Sequence, residues 1–530
     1  VRLAAVWAPV VLLIPLLAVY WIFVSSPATG IFHDDGIYIV TAKSLAERLE
    51  YRIESLPSDL PQSKYPILFP ALLAALWKLS PGFPANVWLL KLLPALGALA
   101  VAIAIWRRAR GGGLGEAAAR WLALTWLAAP AVVFHATVVL PDTLFTLCCL
   151  TAILCLEQAL ANARKAAGWA AAAGLATGAA LLLRSAGITL VPLGLFLVWK
   201  RRWRALGSFC IAAILLVGPW MAYQRDQPVG VTPVEEYYTR VPYERSHALA
   251  LDHPGDAARM LLWNAAWVAT SLGPSLGLGL HPVHLVTGLG LFLLAMAGLL
   301  RLFRAALWGP MEVWVLLYLG LLLVWSWPPG RYMIPVLPAL LIAIASVVAG
   351  ICRGSARAQL VLASALTACV ASNAWFLAQI TRETTATGWA APSPGLAEDW
   401  TTTRRVFDWL RRETPQEAVI GANLDPMVYL YTGRKSIRLW HYSPLEVFYG
   451  VRTGAAFGGP ERLRTYLLTH KVEFILLTPM ALFGEGRFFR ENLEALQHAA
   501  PEAFRTVAIF GRPDYAILRV QLEKLEAPPS

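Results

Sequence analysis

Apolar runs of about bilayer length alternate with short polar connections along the first 380 positions of the chain. A hydrocarbon core of about 30 Å takes roughly 20 helical residues to cross. Runs near that length occupy 3–24, 84–106, 117–134, 138–156, 205–222, 282–303, 309–327, 332–351 and 358–379. The stretch 169–199 is too long for one ordinary span, and Arg184-Ser185-Ala186-Gly187 interrupts it. The pattern therefore predicts two short helices meeting at the break, and eleven transmembrane helices in all. The first run has the polarity of a secretory leader, but its length fits a retained span.

Three hydrophilic regions fall between or after these runs: 25–83, 223–259, and everything beyond about 380. In the first, Ile37, Val40, Leu45 and Leu49 form a stripe that predicts a helix lying on the membrane surface, and a second apolar helix is expected over 67–79. In the last, helical patterns over 403–413 and 460–470 alternate with strand-like runs at 418–422, 474–478 and 515–520. That alternation predicts a small α/β domain over 395–530, following a membrane domain over 1–380.

Composition agrees with the pattern. Hydrophobic residues make up 57% of the 530 positions and mean hydropathy is +0.55, more apolar than a soluble fold can hide. The formal charge of +12 comes from short clusters between apolar runs, so it reads as membrane topology and excludes a nucleic-acid partner. Under the eleven-span count, Arg107-Arg108-Ala109-Arg110, Arg164-Lys165, Lys200-Arg201-Arg202-Trp203-Arg204, Arg301 with Arg304, and Arg353 with Arg357 share one side. By the positive-inside rule that side is the cytoplasm, which puts the N-terminus inside and the three hydrophilic regions outside. All six cysteines lie in or beside apolar runs, with no disulfide framework or zinc spacing.

Residues suited to chemistry gather on the outer side. His33-Asp34-Asp35-Gly36-Ile37-Tyr38 opens the first outer helix. Adjacent aspartates there either cap the helix or make a base, one ionised while the other orients a substrate. Lys64-Tyr65-Pro66 follows in the same loop: an interfacial lysine, or the counter-charge for a phosphate leaving group. Asp142 and Arg184 are ionisable groups at span ends, where such residues cap helices, line a polar cavity or pair with each other. Arg331-Tyr332 reads as an aromatic belt with a snorkelling arginine or as a second phosphate clamp. Glu235-Glu236-Tyr237-Tyr238 offers sugar-binding chemistry, though a solvated loop is the simpler reading. His281-Pro282-Val283-His284 lacks a third ligand for a metal.

This pattern resembles the glycosyltransferase C superfamily, in the branch holding protein O-mannosyltransferases and the lipid A aminoarabinose transferase. The residues that carry the resemblance are Asp34-Asp35, with Tyr38 and Ala42 after them, Lys64-Tyr65-Pro66, the Gly174-to-Arg184 segment, and Arg331-Tyr332-Met333-Ile334-Pro335. It covers residues 1 to about 380. Position 35 is Asp where Glu is frequent, and Ser63 stands where the aminoarabinose branch has Glu. The resemblance implies a polytopic helical fold and inverting transfer from an undecaprenyl-phosphate sugar, with Asp34 as base and Lys64 and Arg184 neutralising the lipid phosphate. It further implies a bacterial inner membrane setting, a glycan, lipid or protein acceptor, and no certain cofactor; a divalent ion is unsupported by the residues. Two other classes share the hydropathy pattern. A transporter or flippase would show repeated halves with paired broken helices, and an envelope assembly protein would use 395–525 to hold a partner. The enzyme reading requires the Asp34 and Lys64 loops to converge on one pocket.

Overall fold

The computed structural model describes residues 2–112, 114–230, 232–239, 253–278, 283–304, 308–352, 356–439, 444–450, 459–478 and 485–526. Among these, six helices are long and apolar enough to cross a membrane: Trp7–Ser25, Val87–Gly111, Asp142–Ala161, Ala166–Leu183, Trp203–Arg225 and Val283–Leu302. The pair Glu116–Leu127 and Pro130–Thr137 is apolar enough when joined but bends by 58° where Pro130 opens the second member, the geometry of a broken span or a re-entrant loop. The region after Arg184 is a 3-10 run, Ser185–Gly194, leading into Leu195–Trp199. Shorter apolar helices include Pro310–Leu323 and Leu337–Ile351, and Ala356–Thr387 follows.

The first outer helix, Asp34–Arg48, is more enclosed than its single apolar stripe predicts. Ile37, Ile39, Val40 and Ala42 are all fully buried, so its buried apolar residues cover more than one face, while Leu45 and Ala46 are half-buried. Leu49, assigned to the stripe, is instead exposed and ends the helix in the left-handed conformation. A short hairpin of β1 (Arg52–Ile53) and β2 (Leu60–Pro61) then leads to helix Leu68–Leu79.

The C-terminal region forms a mixed sheet of β3 (Val419–Gly421), β4 (Ser436–Ile437), β5 (Val472–Leu477), β6 (Phe504–Phe510) and β7 (Arg512–Val520), in the order β4-β3-β5-β7-β6. β3 runs parallel to β4 and β5, while β7 is antiparallel to β5 and β6. Helices Trp400–Glu413 and Gly459–Thr469 flank it, close to their predicted positions. Helix Asp425–Thr432, which the hydropathy pattern does not mark, packs on the first outer helix. Backbones meet closely there. A Cβ on Gly36 would come 2.8 Å from Pro426 Cβ, and one on Gly30, at φ +83°, 2.9 Å from Met427 Cβ. Phe407 and Met427 share one apolar core with Phe23 and Ile39, so the C-terminal region closes over the first loop.

Candidate active site

Four charged side chains that are far apart in sequence form one chain of ion pairs. Arg331 Nη1 donates to Asp34 Oδ2 at 3.0 Å, and Arg331 Nε donates to Asp142 Oδ2 at 3.2 Å. The Arg184 guanidinium closes on Asp142 Oδ1. Asp142 is fully buried and the Arg331 and Arg184 side chains are 9% and 12% exposed; charges at that depth are tolerable only because each is paired. Asp34 is the most open of the four, with a fifth of its side chain reachable. Aromatic faces wrap the cations: Arg184 lies 4.7 Å from the Tyr332 ring centre and Arg331 4.8 Å from that of Phe32.

Local structure aims each group. Asp34 begins its helix, Asp142 begins Asp142–Ala161 after Pro141, and Arg184 stands where Ala166–Leu183 breaks into the 3-10 run. Arg331 opens a short 3-10 turn after Pro328-Pro329-Gly330. Tyr65 donates its hydroxyl to Asp34 Oδ1 at 2.8 Å, and Tyr51 holds the Tyr65 carbonyl at 2.8 Å. Lys64 Nζ donates to the Tyr237 carbonyl at 2.9 Å and sits 3.8 Å over the Tyr237 ring. Burial pushes the Asp34 carboxyl up, but Arg331, Lys64, His33 and the Tyr65 hydroxyl outweigh it and hold the acid below the usual carboxylate range.

Asp35 faces away from this cluster. Oδ2 accepts from the N–H groups of Gly30 and Ile31 at 2.7 and 3.1 Å, and Oδ1 from that of Phe32 at 2.9 Å. Burial raises its acid to about 6 against those bonds. It therefore shapes the loop before Asp34 and does not enter the ion-pair chain.

Three further residues join the site: His33 and Tyr238, from the two strings noted in sequence, and Asp425, which the sequence did not mark. His33, Tyr238 and Asp425 are all buried; His33 Nε2 lies 3.1 Å from Asp425 Oδ1 and 3.2 Å from the Tyr238 hydroxyl, which donates to Asp425 Oδ1 at 2.7 Å. The solvated-loop reading of 235–238 is thereby corrected: Pro233–Thr239 is a short helix with Glu235 and Tyr238 buried, because the outer domain covers it. His281 lies outside the described residues, and no cluster of three potential metal ligands occurs among the described ones.

No protein-family model matches the sequence and no curated protein matches it. Solved structures do. ArnT from Cupriavidus metallidurans bound to undecaprenyl phosphate superposes with a TM-score of 0.57 at 16% identity, over 98% of this chain and 99% of its own. The chain has the glycosyltransferase C fold. The Archaeoglobus fulgidus oligosaccharyltransferase complex with zinc and sulfate gives 0.57 at 12% identity, over 94% of this chain and 79% of its own. AglB from the same organism, with an inhibitory peptide and a dolichol-phosphate, gives 0.54 at 12% identity, over 97% and 74%. The likeness to ArnT extends beyond residue 380, where the motif resemblance stops, and takes in the C-terminal domain.

Proposed function

We propose that this chain is a membrane glycosyltransferase that moves a sugar from a polyprenyl-phosphate donor to an extracytoplasmic acceptor hydroxyl, with inversion. The observation that supports this most strongly is the partly open Asp34 at the end of a buried ion-pair chain, in a fold shared over 98% of its length with ArnT bound to undecaprenyl phosphate. Asp34 takes the proton of the acceptor hydroxyl as its oxygen attacks the anomeric carbon from the face opposite the phosphate. The new bond to the acceptor forms while the bond to the phosphate oxygen breaks, and that oxygen leaves with the electron pair. Lys64, Arg331 and Arg184 stabilise the charge on the departing polyprenyl phosphate. Asp35 positions the loop, and Asp142 holds both arginines. Tyr65 and Tyr332 shape the pocket.

In this reading the chain crosses a bacterial plasma membrane eleven times, with a cytoplasmic N-terminus, an outer C-terminal domain, and a glycan, lipid or protein as acceptor. Purified protein in detergent, incubated with a panel of radiolabelled polyprenyl-phosphate sugars, should release free carrier phosphate. Asp34→Asn should lower that release by about 10² to 10⁴, the usual worth of a general base, with no loss of thermal stability beyond a few degrees. Wild-type rates from Asp34→Asn would remove Asp34 from the reaction, and no release from any donor would remove the reaction class.

A further inference from the structure

The residue before Asp34 has an unusual backbone. His33 takes φ 68° and ψ −57°, and the Asp34 N–H donates to the Phe32 carbonyl at 2.9 Å. Those angles and that bond across one residue define a γ-turn of the rare positive-φ kind. A side chain with a Cβ is strained there, and such strain persists only where the surroundings over-determine it. The turn sets where the Asp34 Cα stands, and the first helical bond, from the Ile37 N–H to the His33 carbonyl at 3.1 Å, starts from it.

The His33 side chain is held from two distant places. Tyr238 belongs to the second outer region, 205 residues away, and Asp425 to the outer domain, 392 residues away. The fully buried Asp425 carboxylate accepts from Tyr238 through Oδ1, the oxygen that faces His33 Nε2. A carboxylate facing one ring nitrogen favours the proton on that nitrogen, which fixes both tautomer and ring orientation. Pro426, the next residue, abuts Gly36, two residues into the helix that Asp34 begins, so the same short helix touches the chain on both sides of Asp34.

We propose that His33, Tyr238 and Asp425 form a clamp through which the outer domain holds the γ-turn and aims Asp34, making all three positioning residues for the transfer. The proposal rests on the reading of Asp34 as base for its kinetic consequence, but the clamp itself is a statement about the turn. Misplacing a reacting group by about 1 Å can cost on the order of 10²-fold in rate, which sets the scale of effect.

Full-length wild type, His33→Ala, His33→Gly, Tyr238→Phe and Asp425→Asn are compared in detergent, by initial rates of carrier-phosphate release and by amide hydrogen exchange. Asp425→Asn should lower kcat by about 10- to 100-fold, with the donor KM within about twofold, and should raise exchange selectively over 32–37. Tyr238→Phe, which deletes one hydroxyl, should act in the same direction more weakly. Glycine takes a positive φ without a Cβ penalty, so His33→Gly should keep more of kcat than His33→Ala. Unchanged kcat and unchanged exchange in Asp425→Asn and His33→Ala would overturn the clamp. Exchange rising uniformly over 400–526 would overturn it as well, since the contact would then hold the outer domain together without aiming Asp34. If wild type releases no carrier phosphate from any donor, the transfer reading fails by itself, and the exchange pattern over 32–37 still decides whether the clamp exists.

Discussion

The cations suited to hold a departing phosphate also weaken the base beside them. Arg331 and Lys64 keep Asp34 ionised below the usual carboxylate range, so in the free protein it is a ready but feeble proton acceptor. An anionic donor placed between them would neutralise part of that field and raise the carboxyl again. The sign follows: a depressed acid keeps its activity until the pH falls through that low value, and donor binding moves the loss to higher pH. The acid limb of kcat/KM, which reports the free protein, should therefore lie below that of kcat, which reports the complex; coincident limbs would remove donor-dependent tuning. Arg331 is the second test. It bridges Asp34 and Asp142 through separate nitrogens, which a lysine point charge cannot copy. Arg331→Ala should cost roughly 1.5–3 kcal/mol by removing charge-assisted bonds to Asp34 and Asp142 while Arg184 still pairs Asp142, and Arg331→Lys should recover part of the stability but little activity, measured by thermal unfolding and carrier-phosphate release. Asp142 and Arg184 were legible in sequence because ionisable groups at membrane depth are costly and stand out, and Asp34, Lys64 and Arg331 because an acidic pair and cations beside apolar helices suit a base and a phosphate clamp. His33 and Tyr238 stood inside strings the sequence singled out but with no hint that they meet, and Asp425 was not marked at all, since single polar residues in hydrophilic stretches do not name distant partners.

Among the elements, the helix Asp34–Arg48 shows where periodicity misleads. Its stripe predicted one buried face, but the outer domain supplies a second apolar surface, and a hydropathy pattern does not say how many surfaces a helix will meet. Gly36 records the closeness of that second contact. A methyl there would sit 2.8 Å from the Pro426 side chain, so Gly36→Ala should push helix Asp425–Thr432 away, at a cost of roughly 1–3 kcal/mol for overpacking. The check is a lower midpoint in thermal unfolding together with reduced carrier release; a variant as stable as wild type would show that the two helices separate freely. The break at Arg184 was anticipated from one ionisable residue followed by a glycine, whereas the 3-10 geometry beyond it was not, since short hydrogen-bond spacing has no residue signature of its own.

At the scale of the molecule, the six helices long and apolar enough to cross a membrane among the described residues fall short of the eleven crossings expected from sequence, and the bent pair and the shorter apolar helices are the candidates for the remainder. Single cysteines introduced into a background without the native ones report the sides. A cysteine at Arg201 should react with an impermeant maleimide only in inside-out vesicles, and one at Arg412 only in right-side-out vesicles or whole cells. Labelling of both from one side would overturn the eleven-span count. By itself the sequence determined that the chain is a helical membrane protein with polar regions between and after its apolar runs, and which ionisable residues were available, because burial in lipid dictates composition residue by residue. Only the tertiary structure decided which of those charges meet, that Asp35 turns to the backbone while Asp34 does not, and that the outer domain reaches the first loop. Those outcomes depend on contacts across hundreds of residues, and no local pattern of apolar and polar positions encodes a partner so far away.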